Sequence, residues 1–171
     1  IEQEGTYPLP EAQMDRFLFK VLISYPSAQS EVDMLRLLRR ESSAAAEAPG
    51  ELAQEVIFSV REEIRQITVA AAIDDYIVSL VNATRHATDI DAELGRWIEI
   101  GASPRGSIGL DRASRVQAWL QNRKFVTPDD VRAVVYPVLR HRLILSYDAN
   151  AENITADAVL DRLIEKVAVP A

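Results

Sequence analysis

Phe17-Leu18-Phe19-Lys20-Val21-Leu22-Ile23 is a nearly continuous apolar run, closed by Ser24-Tyr25-Pro26. Such a run reads as a strand buried on both faces, the kind found inside parallel sheets. A strand of that type needs neighbours on either side to satisfy its backbone N–H and C=O groups. The remaining sequence offers few: only Arg96 to Ile100 and the pair Val56-Ile57 look extended. The run therefore reads as the last strand of a larger α/β domain whose other strands lie upstream, and the opening Ile1, where a Met would begin a chain, agrees with that expectation.

Everything after Pro26 reads as helix. Ser27 is a candidate N-cap for a segment from about Ala28 to Glu41, with Val32, Leu35 and Leu38 on one face. The small-residue stretch that follows reads as a mobile loop, about residues 42–52. A short helix from about Val60 to Gln66, capped by Ser59, and a longer one from about Ala70 to His86 come next, then an irregular connection from Ala87 to Ala102. Ser103-Pro104 and Thr127-Pro128 each place a capping hydroxyl before a Pro at the first helical position. Pro137 lies inside the second of these helices and predicts a kink. A last helix follows Thr155, with Leu160, Leu163, Ile164 and Val167 as its apolar face.

Composition narrows the function. The chain has 171 residues and a net charge of −7, from 19 Lys and Arg against 26 Asp and Glu. An acidic balance argues against a broad nucleic-acid surface, since non-specific phosphate binding needs clustered cations. There is no Cys, hence no disulfide framework and no thiolate metal site. No apolar run reaches the ~18–20 residues of a membrane span. Nothing argues for secretion, and the expectation is a cytoplasmic protein whose partners are proteins or small ligands.

Two arginines carry chemical interest. Arg105 falls at the second position of a helix, where the dipole and free N–H groups disfavour a cation. An anion should compensate it: either a phosphate, for which a helix N-terminus with an Arg beside it is suited, or a carboxylate such as Glu93 or Glu99. Arg16 ends the short helical turn Pro8 to Arg16; it could face a neighbouring subunit from the sheet edge, or it could be an ordinary cation beside Asp15. His86 and His141 form no metal pair, and Arg140-His141-Arg142 reads as cations placed favourably at a helix C-terminus. Asp89, Asp91 and Glu93 lack the central Gly and distal Glu of a calcium loop. No Gly-rich phosphate loop and no paired nucleophile and base occur, so the residues hold no complete active site.

Four blocks, in order, carry a resemblance: Ile1 to Phe17 (IEQEGTYPLPEAQMDRF), Gly101 to Arg105 (GASPR), Val126 to Val131 (VTPDDV) and Val138 to Arg142 (VLRHR). Together they resemble the C-terminal half of a MoxR-type AAA+ ATPase. The resemblance implies a mainly α fold, an AAA+ helical lid domain at residues 27–171, preceded at residues 1–26 by the finger segment and last strand of the α/β P-loop core. It implies that Arg16 is an arginine finger reaching the γ-phosphate of an adjacent subunit, in trans, and that Arg105 is the sensor-2 Arg. ATP and Mg2+ are then cofactors of the full-length protein; the Walker A loop, Walker B carboxylates and sensor-1 Asn lie upstream. The segment alone is expected to bind neither tightly, to hold no metal, and to be inactive. Family members are thought to form hexameric, chaperone-like rings that act with von Willebrand factor A domain proteins on client complexes. Two rivals remain: a stand-alone helical protein-interaction module, against which the orphan apolar run speaks, and a helix-turn-helix nucleic-acid binder at Val126 to Arg142, against which the acidic charge speaks.

Overall fold

A computed structural model describes residues 9–41 and 50–169. The loop read at about residues 42–52 falls mostly on residues 42–49, outside the described ones, as do residues 1–8 of the first sequence block. The chain divides into two units, residues 21–60 and residues 1–20 with 61–171.

The smaller unit holds α2 (Ala28–Glu41) and the first part of α3 (Gln54–Arg65); a single turn, α1 (Glu11–Met14), precedes it in the other unit. Ser27 starts α2 as its composition suggests, its Oγ accepting the Ser30 N–H at 3.1 Å. Helix α3 begins six residues earlier than Ser59 implied and absorbs Val56-Ile57, which are helical rather than extended. Ser59 does not cap it: its hydroxyl donates to the Val56 carbonyl inside the helix at 2.9 Å.

The larger unit is a helical bundle. Its long elements are α4 (Ala71–Arg85), α7 (Pro104–Leu120), α8 (Pro128–Leu139) and α10 (Ala156–Lys166). Tyr76, Leu80 and Val81 of α4, Leu110 of α7, Val131, Val135 and Val138 of α8 and Leu160 and Leu163 of α10 are all buried in one core. Each long helix after α4 starts on a side-chain cap. Ser103 Oγ accepts from Arg105 N, Thr155 Oγ1 from Ala158 N, and Thr127 forms a capping box with Asp130. Asp130, almost fully buried, also pairs with Arg123. Helix α8 continues through Pro137 to Leu139.

The connection read as irregular contains α5 (Ala87–Ile90), α6 (Ala92–Trp97) and β1 (Ile98–Ile100). Strand β1 pairs antiparallel with β2 (Ile144–Leu145), and α9 (Tyr147–Ala151) follows. Asp91 belongs to no cation loop. Its carboxylate caps α6 through Glu93 N and Leu94 N and pairs with Arg162 at 2.9 Å, while Glu93 pairs with the same Arg162. The Arg162 hydrogen bond in particular lowers the Asp91 pKa to about 2.

Residues 17–23 form no strand. Among the described residues no strand lies beside them to complete a ladder, so the backbone groups of residues 15–20 turn to side chains and a helix end instead. Lys20 N–H donates to the free Pro137 carbonyl at the end of α8 at 2.8 Å.

Candidate functional site

The start of α7 is fixed from α4. The buried Thr84 hydroxyl accepts the Ala102 N–H at 2.9 Å, and Arg85 Nε donates to the Ala102 carbonyl at 2.7 Å. Gly101 makes this approach possible, because a Cβ there would collide with the Thr84 carbonyl. With both backbone groups of Ala102 held, Ser103 caps α7 and Arg105 follows at the second helical position.

Arg105 does not pair with Glu93 or Glu99. Its compensating anion is Asp15, 3.1 Å from Arg105 Nη1. The Asp15 carboxylate also accepts from Ser103 Oγ at 2.9 and 3.0 Å and pairs with Arg142 Nε at 3.2 Å. Burial would raise the Asp15 pKa, but the Ser103 and Arg105 hydrogen bonds and the Arg142 charge outweigh it and hold the carboxyl below its ordinary value. Arg105 remains 58% exposed although Asp15 is only 18% exposed, so the guanidinium stays open to solvent while its partner is held.

Arg16 follows Asp15 directly, in the turn that ends α1, and its side chain is exposed. Among the described residues its side chain has no hydrogen bond or ion pair, unlike Arg105. The two candidate arginines thus flank one carboxylate: Arg105 touches it, and Arg16 is its chain neighbour.

Sequence reasoning missed Asp15 as the organising anion and Arg142 as its buried counter-ion. Arg142 is not simply a solvated cation at a helix end; its side chain is 3% exposed. The helical period gives little warning: α8 ends at Leu139, and Arg142 lies in the turn beyond it, folding back so that its guanidinium meets the Val138 carbonyl of the buried Val131, Val135 and Val138 stripe. His141 is buried too, with Nε2 3.1 Å from the Phe17 carbonyl, and burial pushes its pKa down. Among the described residues no group of three or more His, Cys, Asp or Glu side chains is placed to hold a metal ion.

The AAA lid domain family matches residues 95–163. Chaperone MoxR1 of Mycobacterium tuberculosis is 40% identical over 99% of this chain and 45% of its own length. Protein MoxR of Paracoccus denitrificans is 33% identical over all of this chain and 54% of its own. A crystal structure of a "putative ATPase" from Cytophaga hutchinsonii superposes with a TM-score of 0.91 at 36% identity, covering all of this chain and 52% of that one. The chain spans about half the length of the curated relatives it matches. Because the likeness takes in the segment around Asp15 and Arg16 as well as the lid, the chain as a whole belongs to the MoxR-type AAA+ family.

Proposed function

We propose that this chain supplies two cations to the ATPase site of a chaperone-like MoxR-type ring: Arg16 as an arginine finger acting on an adjacent subunit and Arg105 as the sensor-2 residue. The carrying observation is the anchored Asp15, whose carboxylate pairs with an exposed Arg105 at the N-terminus of α7 and whose chain neighbour is an exposed Arg16. Residues 1–26 then act as the end of an α/β core and residues 27–171 as the lid.

ATP with Mg2+ supplies the transferable phosphoryl group, held by Walker A and Walker B residues outside this sequence. Phosphoryl transfer is accelerated mainly by positioning and by neutralising charge on the γ-phosphate oxygens, and guanidinium groups suit both tasks. Arg105 fits a phosphate: one of its donors meets Asp15, the others have no partner among the described residues, and the α7 N-terminus adds its dipole. Arg16, with no partner of its own among the described residues, is available to a second molecule. The full-length protein is on this reading a cytoplasmic ATP hydrolase, hexameric, that remodels or matures client complexes alongside a von Willebrand factor A domain protein. The 171-residue chain alone is inactive.

The test is ATP turnover of full-length Arg16→Ala and Arg105→Ala. Both should lose turnover with the oligomer intact, the finger variant by roughly 10³-fold or more. Arg105→Ala should also weaken resting nucleotide binding, and Arg16→Ala should chiefly lower kcat. Unchanged turnover in both would return the arginines to structural roles.

A further inference from the structure

We infer that Arg142, assisted by His141, is a positioning residue for Arg16: it clamps the backbone on both sides of the finger so that the Arg16 side chain is presented outward. The inference rests on the finger reading of Arg16. Arg142 Nη2 donates to the Asp15 carbonyl at 3.1 Å and to the Phe17 carbonyl at 2.6 Å, the residues immediately before and after Arg16. Its Nη1 donates to the Leu18 carbonyl at 3.3 Å and to the Val138 carbonyl of α8, and its Nε pairs with the Asp15 carboxylate. His141 Nε2 lies against the same Phe17 carbonyl, and Arg140 Nη1 reaches the Lys20 carbonyl at 3.3 Å.

Stability does not account for this arrangement. A buried cation carries a desolvation cost that often cancels its pairing energy, and apolar residues of similar volume commonly serve a core as well or better. What an apolar side chain cannot do is fix carbonyl directions. The planar guanidinium offers five N–H donors in a rigid fork, and here that fork spans residues 15 to 18 around Arg16, whose side chain has no hydrogen bond or ion pair among the described residues. A finger must meet its phosphate within a fraction of an ångström, and a misplacement near 1 Å costs on the order of 10²-fold in rate.

The test is a double-mutant cycle in the full-length ring. Arg142→Gln and Arg142→Lys, each alone and combined with Arg16→Ala, are compared by kcat and KM for ATP, with oligomer size checked for each. Arg142→Gln should lower kcat at least about 10-fold with KM for ATP within about twofold. Combined with Arg16→Ala it should add less than about a further twofold, because the clamp has nothing left to position. Arg142→Lys keeps the charge beside Asp15 but not the fork, so it should also lose kcat; this variant decides the matter if Arg142→Gln fails to assemble. Losses that multiply in the double variants, or Arg142→Lys with full kcat, would overturn the inference while leaving the finger intact. An Arg16→Ala ring with full turnover would overturn both.

Discussion

Replacing Asp15 by Asn keeps the shape of the side chain and removes its charge. Two ion pairs are lost, of unequal worth. The pair with Arg105 is half in water and contributes about 0–1 kcal/mol, as exposed pairs do. The pair with Arg142 is different, because that side chain is 3% exposed and Asp15 is its carboxylate partner. Stripping the partner from a buried charge costs about 3–5 kcal/mol. Arg142 keeps its bonds to four backbone carbonyls, Asp15 itself is not fully buried, and an Asn side-chain oxygen can still accept, so the expected loss is smaller, about 2–3 kcal/mol. In a chain of this size that corresponds to a fall in Tm of about 4–12 °C. The assay is thermal and urea unfolding of the 171-residue chain followed by circular dichroism, with Arg105→Ala beside it, which should cost under about 1 kcal/mol. If Asp15→Asn costs no more than Arg105→Ala, the Asp15–Arg142 pair does not anchor this segment and the reasoning fails.

Three further outcomes follow from particular contacts. His141 is held neutral by burial, with the charges of Arg142 and Lys20 also opposing protonation and the Phe17 carbonyl and Asp15 favouring it, so its folded pKa lies below the ordinary 6.5. The unfolded state then binds the extra proton, and stability should fall as pH drops below about 6.5, with a second fall below the ordinary Asp value of 3.8 as Asp15 protonates; urea midpoints between pH 7.5 and 5.5 should decline in the wild type and flatten in His141→Phe, and a midpoint rising on acidification would contradict this. Gly101→Ala forces a methyl against the Thr84 carbonyl and should cost about 1–3 kcal/mol in unfolding measurements, whereas Gly50→Ala, with nothing near its Cβ position, should be close to neutral. Isothermal titration of the 171-residue chain with Mg-ATP should stay near baseline, and a tight saturable isotherm would mean that a complete phosphate site lies within these residues.

The helical architecture was legible because caps are local: Ser27, Ser103, Thr127 and Thr155 each announce a start within four residues of sequence, and α2, α7 and α8 begin where those residues place them. The helices α5, α6 and α9 were not legible, being too short to show a period. Val56-Ile57 is two β-branched residues whose local preference gives way to the helix around them. The apolar run at residues 17–23 has the composition of a buried strand, yet pairing depends on neighbours that composition cannot supply, and without them the segment beside Arg16 is tied down by Arg142 instead. Arg105 was recognisable as a cation in an unfavourable place. Its partner was not, since Asp15 lies 90 residues away and only the fold brings them together.

The central claim is that Arg16 works across a subunit boundary, and subunit mixing tests it most directly. Full-length Arg16→Ala subunits, which retain their own Walker B site, are mixed with Walker-B-dead subunits that retain Arg16, and ATP turnover is followed against mixing ratio. Each partner then supplies what the other lacks, so turnover should rise above that of either alone and peak at an intermediate ratio; Arg105→Ala subunits should gain nothing in the same mixture if Arg105 works within its own subunit. Turnover that stays at the sum of the two inactive species at every ratio, in rings verified to be mixed, would contradict the account.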